Sequence, residues 1–217
     1  MADKINISLP LDGTEAARLA RLHKQAVVLA VFGSVVISTG GLLIRSLEAT
    51  TEWQVVFWRG IFLTLGTVGI LLFQYRSAVF RETRRIGRLG LLGGLFHGGA
   101  LTGYVLSITN TTVANAVFTM STVPFFTAIL AWVLLGERIG ARTVFAIAAA
   151  LTGVALMLSD GISTGTVFGN VAALFAAVCI ACLGSILREG RGVDMLPLPA
   201  LGGLLAGWGA AIMMGGV

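Results

Sequence analysis

Residues 112–142 read TVANAVFTMSTVPFFTAILAWVLLGERIGAR, and the order of chemistry along that stretch decides the fold. From 112 to 135 no residue carries a charge. Glu137, Arg138 and Arg142 then arrive within a few positions, and a new apolar run begins. A helix needs about 20 apolar residues to cross roughly 30 Å of hydrocarbon. The run is long enough to do so, and the charges after it mark an exit into water.

The same alternation extends in both directions. Apolar blocks lie at 26–46, 53–74, 89–108, 112–135, 142–159, 165–187 and 196–217. The fifth is short but still within range for a span. Of the 15 Lys and Arg residues, all but Arg45 and Arg59 fall in the N-terminal tail or in alternate gaps between blocks. Lys4, Arg18, Arg21 and Lys24 precede the first block, and Arg76, Arg81, Arg84, Arg85 and Arg88 follow the second. Arg138 and Arg142 follow the fourth, and Arg188 and Arg191 the sixth. Cytoplasmic loops collect cations because translocating them is unfavourable. The pattern predicts an all-α polytopic transmembrane bundle in the inner (plasma) membrane, with a cytoplasmic N-terminus.

Composition agrees: 56% of residues are hydrophobic and only 12% charged, against roughly 25% charged in soluble domains. The net charge of +5 does not indicate nucleic acid. The basic residues flank apolar blocks instead of forming a face with aromatics between them. They are better placed to set topology and to attract anionic lipid head groups. Residues 1–24 form the only segment outside the membrane region, and Asp12-Gly13-Thr14-Glu15 can start a short amphipathic helix ending near Lys24. A cleaved signal peptide does not fit, because the first block is too long and no clean small-x-small site follows it.

Glycine accounts for 29 of 217 residues. Gly90, Gly94 and Gly98 recur every four positions, and Gly99 and Gly103 repeat the spacing. Such spacing clears a helix face for close approach of another backbone. A shift of 143 positions places Ala30, Phe32, Gly41 and Arg45 on Ala173, Phe175, Gly184 and Arg188. The copies lie five crossings apart, so the second is inverted in the membrane, as in the inverted repeats of secondary transporters. The expected organisation is a tail (1–24), a first five-helix repeat (25–160) and the start of a second (165–217), the chain ending two helices into that unit.

The stretch from Leu101 to Leu158 resembles the second half of an EamA domain, the repeat unit of the drug/metabolite transporter superfamily. The resemblance rests on the small-polar run TNTTVANA, on Pro124, on Gly136-Glu137-Arg138 and on Gly153. Arg59 in Phe57-Trp58-Arg59 resembles the arginine of that family's second helix. Ala146 stands where the family often has glycine. The resemblance covers 26–159 as one full repeat and 165–217 as a partial one. It implies a ten-helix carrier of two inverted repeats that moves small metabolites by alternating access.

The polar residues can be read independently. Ionisable groups in hydrocarbon usually face the bundle interior. Arg59 either snorkels to the head groups or holds a carboxylate or backbone carbonyls. His97 is either a proton carrier or substrate donor, or a neutral imidazole hydrogen-bonded across helices. It shares a face with Tyr104. Asn115, Thr119 and Thr122 form a stripe that Thr111 begins. Pro124 removes a backbone hydrogen bond beside this stripe and is the expected hinge. Ser34, Ser38 and Gly41 make a third face. Each Ser or Thr alone is accounted for by interhelical hydrogen bonding; three faces together suggest a lined pathway. Glu137 is a candidate cytoplasmic gate or an ordinary loop partner of Arg138 or Arg142. The expected pathway is therefore Arg59, His97, Tyr104, Asn115, Thr119 and Thr122.

The blocks contain no Asp or Glu, which disfavours metal ions and strongly cationic drugs and favours neutral, zwitterionic or amphipathic solutes such as amino acids. Cys179 and Cys182 spell C-x-x-C, but no further Cys or His stands near, so no metal site or cofactor is expected. An intramembrane protease needs a serine with a histidine base or two aspartates, and only His97 is available. A non-transporting assembly subunit would have no reason for polar interior stripes. The implied partners are a small-molecule substrate, the lipid bilayer and a proton as coupling ion. A homodimer is one assembly such a bundle admits.

Overall fold

A computed structural model describes residues 13–45, 50–76, 79–136, 140–164, 166–190 and 192–215. Among these residues every regular element is a helix, as the alternation of apolar blocks and short polar gaps requires. The helices are α1 (Gly13–Arg45), α2 (Glu52–Tyr75), α3 (Val79–Arg85), α4 (Gly87–Asn110), α5 (Val113–Met120), α6 (Val123–Leu135), α7 (Ala141–Thr164), α8 (Val167–Glu189) and α9 (Leu198–Gly215). Among the described residues, six segments are long and apolar enough to cross a membrane. Among the described residues the fifth block contributes a shorter apolar helix, Ala141–Leu156 within α7.

The chain forms two compact units, Met1–Leu43 and Ile44–Val217. Within the first, α1 runs without interruption from Gly13. The separate amphipathic helix expected to end near Lys24 is therefore the opening of α1, because no helix breaker stands between Lys24 and the first apolar block. Ser34 and Ser38 turn their hydroxyls back onto their own helix, donating to the Ala30 and Ser34 carbonyls at 2.8 and 2.9 Å.

In the second unit, α4 packs on α8 and α9, α9 packs on α2, and α8 also carries α5, α6 and α7. Small residues make this possible. A Cβ at position 60 would stand 2.5 Å from the Gly203 carbonyl oxygen, and one at 203 would stand 2.6 Å from the Gly60 oxygen. A Cβ at 98 would meet the Gly202 oxygen at 2.8 Å, and one at 202 would strike the His97 ring. The adjacent pair Gly202-Gly203 thus lets α9 lie backbone to backbone against α4 with one glycine and α2 with the other. Thr64 Oγ1 shares its proton between the Gly60 carbonyl at 2.8 Å and the Ala200 carbonyl of α9 at 3.1 Å. Farther along, Gly103 meets Ala172 of α8, and Gly169 meets the Asn110 backbone.

Two features place the ends of the bundle. The N-cap Thr51 accepts from the Gln54 N–H while the Gln54 side chain accepts from the Thr51 N–H, a reciprocal cap that starts α2. That end of α2 lies beside the end of α4, where Asn110 Nδ2 donates to Glu52 Oε1 at 2.9 Å. At the opposite end of α2, the Tyr75 hydroxyl donates to Asp194 in the α8–α9 connection. Arg76, the short helix α3 with Arg81, Arg84 and Arg85, and Arg88 and Arg188 belong to this second end.

Gly60→Val places two methyls into backbone atoms that cannot yield. Overpacking of that kind costs about 1–3 kcal/mol. The purified variant should melt several degrees below wild type, whereas Gly66→Ala, which meets nothing within 4 Å, should not. Equal melting of the two variants would contradict the crossing described.

Candidate functional site

The second and fourth helices bring two of the expected pathway residues, Arg59 and Tyr104, into contact. Arg59 lies seven residues into α2 from Glu52, about 10 Å along the axis. Tyr104 lies six residues before Asn110 on antiparallel α4, so the two side chains meet at one level. The guanidinium carbon stands 5.2 Å from the Tyr104 ring centroid, a cation–π pair. Arg59 is half-buried, and among the described residues its guanidinium has no carboxylate partner.

His97 is one i, i+7 interval from Tyr104 on the same α4 face. Its imidazole fills the notch left by the missing side chain of Gly202, where a Cβ would stand 2.8–2.9 Å from its Cβ, Cγ and Nδ1. Nδ1 is buried and has no hydrogen-bond partner among the described residues. Among the described residues the expected cross-helix hydrogen bond is therefore not made at Nδ1, and the ring is held there by its fit against Gly202.

Asn115, Thr119 and Thr122 form a second group on α5 and the turn after it. Thr119 and Thr122 are only 1% and 3% exposed, which places them inside the bundle. The Thr122 hydroxyl donates to the Thr119 carbonyl at 2.6 Å. No described hydrogen bond joins this group to Arg59, His97 or Tyr104. The apolar block 112–135 is not one helix: α5 ends at Met120, Ser121 and Thr122 form a turn, and α6 opens at Val123 with Pro124 in its first turn. Proline is tolerated in a first turn because its missing N–H would be unsatisfied there anyway. Gly136 closes α6 in the left-handed conformation with φ of 65°, a helix end that favours glycine. Glu137 and Arg138 lie outside the described residues.

A polar cluster at the Glu52 end connects these elements, and the sequence reading overlooked most of it. Asn170, 1% exposed in the first turn of α8, accepts from Thr111 Oγ1 at 2.9 Å through Oδ1. Asn115 Nδ2 reaches the same Thr111 oxygen at 3.5 Å. The Asn170 Nδ2 and the Ser107 hydroxyl are buried with no partner among the described residues. The signal was available: Asn170 is an amide inside an apolar block, in Phe168-Gly169-Asn170-Val171-Ala172. Glu52 and Asn110 were harder to find, since each sits at a helix end where polar residues are ordinary.

An apolar groove of about 610 Å³ runs beside this polar face. Trp53, Phe96, Thr102, Phe175, Leu205 and Ile212 are among its walls, and none of the six pathway residues lines it. Cys179 forms part of it, and both cysteines are free thiols. Among the described residues no group of three or more His, Cys, Asp or Glu side chains converges as metal ligands would.

The model of the EamA-like transporter family matches residues 24–159, well over half of the chain. The chain belongs to the EamA-like transporter family, and is a multi-pass membrane protein of the transporter kind. No curated protein and no solved structure matches it.

The loop contact at the other end has a pH consequence. The Tyr75 hydroxyl and the Leu196 N–H both donate to Asp194 and hold its carboxyl below the usual Asp value. A depressed folded-state pKa contributes stability above the unfolded value and loses it as pH falls through the folded one. The loss belongs below about pH 4, the ordinary Asp range. Asp194→Asn should therefore flatten the acid limb of a plot of Tm against pH. An acid limb identical to that of wild type would show that the contact does not form.

Proposed function

We propose that this protein is a secondary active carrier that moves small, amino-acid-like or amphipathic solutes across the inner membrane by alternating access. The observation that carries the reading is the interruption of the fourth apolar block at Ser121-Thr122, directly after the 8-residue α5, where Thr119 and Thr122 are buried. Broken helices near the midplane give a carrier both backbone groups for its substrate and a joint about which a half-helix can move. Family membership supports the same conclusion, since the family's members are transporters.

In this reading Asn115, Thr119 and Thr122 line one wall of the pathway and Arg59, His97 and Tyr104 the other. Pro124 acts as the hinge and Glu137 as the cytoplasmic gate. The Arg-bearing end of the bundle faces the cytoplasm, following the preference of cations for that side. His97 is the one group in the pathway whose ordinary pKa lets it exchange a proton near neutral pH, so proton coupling runs through it. The carrier works as two inverted five-helix repeats, and a homodimer is compatible with the exposed apolar faces.

Asn115→Leu tests the pathway. Removing a hydrogen-bonding group that a solute uses in the membrane interior should slow counterflow in proteoliposomes by about tenfold or more. Membrane insertion should be unaffected and Tm should change little. Flux equal to wild type for every solute carried would remove the α5 wall from the pathway.

A further inference from the structure

We infer that the solutes carried have a carboxylate group, and that Arg59 is its receptor. The inference rests on the carrier reading and adds a substrate chemistry to it. A guanidinium within the span is always charged and keeps a high cost in hydrocarbon unless an anion, carbonyls or water meet it. Among the described residues no carboxylate meets Arg59, and its contact is the face of Tyr104. A ring face relieves part of the cost but leaves the N–H donors at the edge of the guanidinium unused. Those donors form a planar fork that matches a carboxylate in two parallel hydrogen bonds.

The geometry disfavours the alternative of a snorkelling side chain. A snorkelling arginine extends along its helix to the nearer interface. Arg59 instead turns across to α4, onto a residue at its own depth. Among the described residues, the carboxylate at that end of α2, Glu52, is engaged by Asn110 on the neighbouring helix. The second unpartnered polar atom on this face, His97 Nδ1, lies one seven-residue interval deeper, about 10 Å along α4. That atom is buried against Gly202 of α9, so recognition of the carboxylate falls to Arg59 alone. The guanidinium fork suits an anion or zwitterion bearing a carboxylate, whereas a neutral amide of the same shape gives it a single uncharged acceptor in place of a charge-assisted pair.

The test uses the full chain in nanodiscs of phosphatidylcholine alone and in nanodiscs with added phosphatidylglycerol. The probes are N-acetylphenylalanine, N-acetylleucine, phenylalanine and leucine, each paired with its carboxamide. In phosphatidylcholine, at least one acid should raise Tm or compete in counterflow about 10–100-fold better than its amide, as expected for a charge-assisted pair. Arg59→Gln should abolish that preference, and Arg59→Lys, which keeps the charge but lacks the fork, should retain part of it. Amides binding as well as acids, or an acid preference that survives Arg59→Gln, would overturn the inference while leaving a carrier. An Arg59→Gln effect seen only with phosphatidylglycerol present would also overturn it, assigning Arg59 to a lipid head group. Absence of counterflow for every probe, acid or amide, by wild type alongside an intact acid preference in Tm would instead count against the carrier reading.

Discussion

The bundle depends on two adjacent glycines. Gly202 and Gly203 of α9 present bare backbone in two directions, to α4 through Gly98 and His97 and to α2 through Gly60 and Thr64. In lipid there is no hydrophobic gain from hiding one apolar helix against another, because the solvent is itself apolar. Close van der Waals contact and the occasional interhelical hydrogen bond are what remain, and both require small residues at the crossing. The shared Thr64 proton, accepted in part by Ala200, is a bond that only such proximity allows.

The polar site follows from the same crossing. With α2 and α4 both drawn onto α9, Arg59 and Tyr104 come to one depth and the guanidinium settles over the ring. His97 occupies the space that Gly202 vacates, so its ring orientation is set by a missing side chain on another helix. At the Glu52 end, a different set of contacts ties α2, α4, α5 and α8 through Glu52, Asn110, Thr111, Asn115 and Asn170. One end of the bundle is thus stitched by amides and hydroxyls, while the other carries the arginines and the Tyr75–Asp194 contact.

Much of this was legible in the sequence because lipid imposes coarse rules. Block length and the alternation of arginines predict helices and their antiparallel order without knowledge of any contact. The glycine spacing of 90–103 identified α4 as a crowded helix, and α4 packs on both α8 and α9. The pairing of Tyr104 with Arg59 was not legible, because seven-residue spacing shows which side chains share a face but not what faces them. The break at Ser121-Thr122 was only half legible. Proline signalled a bend, but not that the Thr122 N–H would bond to Thr119, three residues back, and open a new helix. Asn170 carries no charge, so neither the topology pattern nor the search for ionisable groups in the span points to it. The short α3 was hidden in a loop whose arginines read as topology alone.

Bare glycine backbone brings α2 and α4 together on α9 and so holds Arg59 inward on Tyr104. A cryo-electron microscopy map of the protein in lipid nanodiscs tests it most directly. Gly60 and Gly203 should be in backbone contact, with the guanidinium about 5 Å above the Tyr104 ring. A map with side chains or lipid between α2 and α9, and with Arg59 extended to the head groups, would contradict it.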